Sequence, residues 1–82
     1  MKYKLKEKLT DTYYHYLIES NYFVYEDKSR LIEWKIYSDG ILLLRDIRAC
    51  DGSNLQSCRH AINDAKSNID TLIKLGKWTI NK

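Results

Sequence analysis

The chain has 82 residues, enough for one domain, since a second independent core would need about 50 residues of its own. It is 44% hydrophobic and 30% charged, which fits a globular protein and excludes a disordered chain, a collagen-like repeat or a disulfide scaffold. The net charge of +3 is unevenly spread: the two ends are basic, whereas residues 9 to 73 hold seven bases against ten acids, a net of −3.

At the start, Lys2, Lys4, Lys6 and Lys8 alternate with Tyr3, Leu5 and Glu7. There is no apolar core of a secretory signal, and no apolar run approaches the roughly 18 residues of a membrane span, so a cytoplasmic protein with no membrane partner is expected. Leu5, Leu9, Tyr13 and Leu17 step by four, as on a helix from Lys4 to Ile18, but TDTYYHY has little helical propensity, and strands are expected from about Thr12 onward. The runs YYHYLI (13 to 18) and YFVYE (22 to 26) are rich in tyrosine and β-branched residues and flank Glu19, Ser20 and Asn21, which reads as a hairpin. A second hairpin is expected at Ser38-Asp39-Gly40-Ile41, where an Asp-Gly pair separates two β-rich runs. A regular two-residue loop pairs Ile36 with Leu43, Trp34 with Arg45 and Ile32 with Ile47 on the buried side. Lys35, Glu33, Asp46 and Arg48 then share the outer side, and Arg45 lays its stem on Trp34.

From Ser53 to Leu75 the residues Leu55, Cys58, Ile62, Ala65, Ile69 and Leu72 recur at intervals of three and four, the stripe of a helix lying on something apolar. Ser53 and Gln56 have the spacing of a capping box, and Gly76 is placed to end the helix. Residues 77 to 81 alternate as a short edge strand or packing tail would. The expected architecture is a single α+β domain: an antiparallel meander of three to four strands over residues 12 to 49, packed against one C-terminal helix over residues 53 to 75.

A search for chemistry finds little. Cys50 and Cys58 are eight apart, with only Asp51, His60 and His15 beside them, not the tight pairs of a zinc site. Cys58 and His60 lie about 200° apart around a helix and cannot form a nucleophile and base within it. No phosphate-binding glycine loop or nucleophile elbow occurs, so neither a catalyst nor a cofactor is expected.

Binding is the remaining class. Residues 9 to 27 contain four acids, no Lys or Arg, and five of the seven tyrosines. Tyr13, Tyr14, Tyr16, Glu19, Tyr22, Tyr25, Glu26 and Asp27 are therefore the candidate protein-binding surface, with the acids selecting a basic partner. The alternative is a nucleic-acid-binding or transcription-related module using Lys2, Lys4, Lys6, Lys8, Arg30, Lys35 and Arg48, since some DNA-binding domains insert a three-stranded sheet backed by a helix into the major groove. Against it, Glu33 and Asp46 sit among those bases, and the tyrosines that could stack on nucleobases lie in an acidic block, which repels phosphate. An open sheet also permits a homodimer.

The tryptophan-bearing run LIEWKIYSDG, followed by an S-x-x-Q helix start and AKSNID at 65 to 70, resembles small accessory proteins of phages and other mobile elements over residues 31 to 75. That resemblance implies a small non-enzymatic regulator or inhibitor that acts by binding a host protein.

Overall fold

A computed structural model describes residues 2 to 81. Strands β1 (Tyr3–Tyr13), β2 (Tyr16–Tyr25), β3 (Arg30–Ser38) and β4 (Ile41–Ala49) form one antiparallel sheet in the order β1-β2-β3-β4, and α1 (Asn54–Lys74) lies on one of its faces. The α+β meander is therefore as expected, with four strands and an unclosed sheet.

Two corrections concern the first hairpin. Strand β1 begins at Tyr3 rather than near Thr12, because steps of four are even and satisfy a strand's period of two as well as a helix's turn. The turn falls at Tyr14 and His15, with Tyr13 opposite Tyr16, so Glu19, Ser20 and Asn21 lie mid-strand. These three polar residues are partnered interior positions. Ser20 is fully buried under the helix and hydrogen-bonds the Leu9 carbonyl at 3.4 Å, while Asn21 faces the opposite side and donates to Glu19 and Glu33.

The second hairpin turns at Asp39 and Gly40 as expected, both with the positive φ (52° and 76°) that a tight two-residue turn requires. Its register departs from the simple expectation. Tyr37 pairs with Leu42 but Ile36 pairs with Leu44, so Leu43 is an extra, bulged residue and everything beyond it changes face. Trp34 lies opposite Asp46, Lys35 opposite Arg45 and Glu33 opposite Ile47. Leu44, Asp46 and Arg48 consequently face the helix side, and Arg45 faces the open side, away from Trp34.

The core forms where Tyr16, Ile18, Tyr22, Ile32, Trp34 and Ile36 meet Cys58, Ala61, Ile62, Ala65 and Ile69. Small helix residues over large sheet residues bring the helix close to the sheet. Ser53 precedes the helix in extended geometry, but its side chain makes no capping bond, so the expected capping box is absent. At the other end, Gly76 at φ 75° donates to Ile73 O and Lys77 to Leu72 O, which reverses the chain. The segment after it is a packing tail: Trp78 stacks on Tyr16 with ring centroids 4.9 Å apart, and Tyr16 Oη donates to Thr79 O at 3.0 Å. Helix α1 crosses β1, β2 and β3, and its backbone does not approach β4.

Neighbouring residues on β2 should respond unequally to truncation. Ile18→Ala removes a fully buried side chain and should lower the unfolding free energy by about 2–5 kcal/mol. Leu17→Ala, on the open face, should cost less than about 1 kcal/mol, as read from urea denaturation.

Candidate functional site

The eight residues of the acidic tyrosine block do not form one surface. Tyr16 and Tyr22 are 3% and 1% exposed and belong to the core, a correction that follows from strand alternation, since both point under the helix. Tyr22 Oη donates to Gly52 O at 3.1 Å. Tyr13 is half-buried against the helix and donates to both carboxylate oxygens of Asp70, at 2.8 and 3.0 Å. Tyr14 is exposed in the β1–β2 turn, whereas Glu26 and Asp27 lie in the β2–β3 turn. A strand of ten residues, about 33 Å long, separates those two turns.

Three of the four acids of this block, moreover, already have partners. Glu19 pairs with Lys8 at 3.5 Å, and Asp11 pairs with Lys66 at 2.8 Å, which holds the Asp11 carboxyl below the usual range. Asp27 accepts from the Ser29 hydroxyl and backbone N–H, which lowers its carboxyl too.

The basic set is redistributed as well. Lys35 is on the open face, while Arg48 is on the helix side, bonded to Asp46 at 2.8 Å and 3.9 Å from Asp64. The expected Lys35/Arg48 face therefore does not exist, because the bulge at Leu43 moves Arg48 across the sheet. Glu33 and Asp46 are likewise on opposite faces. Lys2, Lys4, Lys6 and Arg30 gather at one end of the sheet with Lys28, a residue the sequence did not single out. Lys28 is far from the N-terminal lysines in sequence, and only the pairing of β1 with β2 brings them together.

The open face carries a buried carboxylate at its centre. Glu33 is 4% exposed although no helix covers it, because the side chains around it close over it. Its Oε2 accepts from Arg45 Nε, and its Oε1 accepts from Asn21 Nδ2 at 3.1 Å with Lys35 Nζ 3.8 Å away. Ionic partners on both oxygens offset the desolvation of the charge. Apolar residues flank this centre: Tyr3, Leu5 and Ile47 towards one end, Leu17 and Leu42 towards the other, all at least 41% exposed.

The two sheet edges differ. Edge β1 is studded with exposed Lys4, Lys6 and Lys8, which discourage strand pairing. Edge β4 exposes Ile41, Leu42, Leu43 and Ile47, and its Arg45 and Arg48 are neutralised by Glu33 and Asp46. Cys50 N–H donates to Arg30 O, so alternation along the strand aims the N–H and C=O groups of Ala49, Ile47 and Arg45 outward. Beside this edge, between β4 and α1, is a cleft of about 260 Å³ lined by Trp34, Leu44, Asp46, Arg48 and Asn68. Trp34 Nε1–H is buried with no acceptor among the described residues.

The thiol of Cys58 is pushed up by burial, and Cys50 and Cys58 are both free. Among the described residues no three His, Cys, Asp or Glu side chains come together as a metal site would need, and no helix is long and apolar enough to cross a membrane. Compared with known proteins, the chain matches no family model, no curated protein and no solved structure.

Two measurements probe these contacts. Because Tyr13 donates to Asp70, its phenol is pushed up to about 12. A raised folded value means that this bond stabilises the protein fully below the ordinary phenol value near 10 and is lost as pH rises through about 12. In an ultraviolet alkaline titration Tyr13 should ionise near pH 12, and Asp70→Asn should bring it down. On the open face, Arg45→Met strips a partner from a buried carboxylate and should cost about 1–3 kcal/mol. Adding Glu33→Gln to that variant should restore part of the loss in the same denaturation assay.

Proposed function

We propose that this is a small non-enzymatic protein-binding module that takes an extended segment of its partner as an added strand along β4. The observation that carries this reading is the state of that edge: a nine-residue strand with outward backbone donors and acceptors, exposed apolar side chains and no helix over it. A row of alternating N–H and C=O groups is complementary to another extended chain, and main-chain bonds of this kind supply affinity while alternate side chains supply specificity.

Along such an added strand, every second side chain faces the helix side. The residue opposite Asp46 would enter the cleft floored by Trp34, and an acceptor there would satisfy the buried indole N–H. The reading keeps the protein-binding class expected from the sequence and moves it from the acidic tyrosine block to the other end of the sheet. A host protein is the partner class implied by the resemblance to mobile-element accessory proteins, and inhibition by occupancy is the corresponding mode of action.

Peptides selected from a random displayed library test the reading whatever the partner is. Bound peptides should slow amide exchange at Arg45, Ile47 and Ala49 and shift the Trp34 indole N–H resonance. Ile47→Pro removes an outward donor while sparing the β3–β4 ladder, so this variant should stay folded and lose peptide binding. Peptides that perturb the Tyr14 turn instead, or that bind Ile47→Pro unchanged, would overturn the reading.

A further inference from the structure

At the end of the sheet formed by the start of β1 and the β2–β3 turn, two adjoining hollows of about 360 and 530 Å³ share Lys6, Val24 and Lys28 and make one continuous cleft. Lys2, Lys4, Lys6, Lys28 and Arg30 line it, against the single acid Glu26. Among the described residues none of these five cations has a carboxylate partner, whereas Lys8, Lys35, Arg45, Arg48 and Lys66 are all paired. Like charges held together without counterions repel one another, so their gathering costs stability that a polyanion would recover.

The cleft is not only charged. Val24 gives it an apolar floor on the helix side of the sheet, while Tyr3, at its rim, turns its ring to the open face. The Tyr3 ring meets Phe23 edge-on at 5.1 Å and stacks on Tyr25 at 5.5 Å, yet it remains 58% exposed. A flexible strand that rounds this end of the sheet can set its phosphates against the cations and lay a base on the exposed Tyr3 ring at the rim. The acids that argued against base stacking in the sequence are outnumbered here, because the pairing of β1 with β2 brings the N-terminal lysines beside Tyr25 and Glu26.

We infer that this cleft is a second binding site, independent of the β4 edge, and that its ligand is a single nucleic-acid strand. The cations contact successive phosphates, and Tyr3 stacks on one base. Shape favours the strand over the duplex: the site is concave and a few hundred Å³ in volume, so it receives one backbone.

Fluorescence anisotropy with a labelled mixed-sequence oligonucleotide of about 20 nucleotides tests the inference. The wild-type protein should bind saturably at about 0.05 M salt, with a log–log salt slope of about −3, as release of counterions from several phosphates requires. Replacing Lys4, Lys6 and Lys28 together by Gln should weaken binding at least about tenfold and flatten the slope by about two. The control Arg59→Gln/Lys74→Gln/Lys77→Gln removes the same charge elsewhere and should change binding less than about threefold. All six side chains are exposed, and thermal melting of both variants confirms the fold. Tyr3→Ala should cost about fivefold or more, and Ile47→Pro should bind the oligonucleotide normally. Absence of saturable binding at low salt, an equal loss in the control, competition by polyglutamate as effective as by the oligonucleotide, or equal affinity for a duplex of the same sequence would each overturn the inference.

Discussion

A single helix, about 10 Å across, cannot cover a sheet of four strands spaced about 4.8 Å apart, and most of this protein's organisation follows from that mismatch. Helix α1 lies over β1, β2 and β3 and buries their alternate side chains down to Ala65 and Ile69 at its own centre. Strand β4 is held by its ladder to β3 and by the side chains of Leu44 and Arg48, with one edge open to solvent. The whole opposite face of the sheet is uncovered.

That uncovered face is stabilised by a different device. Glu33, Arg45, Lys35 and Asn21 come from three strands and converge on one carboxylate, so charge pairing holds the centre where no helix supplies apolar cover. A buried ion pair of this kind contributes little net stability compared with an apolar replacement, but it penalises a slipped register, because any slip leaves Glu33 unpaired. This matters at β4, whose bulge at Leu43 makes register the least obvious feature of the fold.

The two candidate binding regions lie at different places for different physical reasons. The β4 edge is available because the helix stops short of it. The basic cleft exists because β1 and β2 extend past the start of the helix, leaving Val24 and the flanking lysines without a cover. One region offers backbone hydrogen bonds and apolar side chains, the other unpaired charge and an aromatic face, so their ligands differ in class and the two need not compete.

Much of the architecture was legible in the sequence. The three-four stripe from Cys58 to Leu72 specified the helix and its buried face, Asp39-Gly40 specified the second turn, and Gly76 specified the helix end, because each depends on interactions within a few residues of itself. The position of the first turn was not legible. Glu19, Ser20 and Asn21 look like a turn until Ser20 meets the helix and Asn21 meets Glu33, partners that lie far along the chain. The bulge at Leu43 was equally hidden, since one extra residue in a run of four apolar ones leaves no local mark, yet it exchanges the faces of Arg45, Asp46 and Arg48. Composition thus determined that the chain carries excess tyrosine, acid and terminal lysine, and local pattern determined the elements. Only the tertiary structure decided which tyrosines are core, which acids are paired and which cations stand together, because strand pairing joins residues that the chain itself keeps apart.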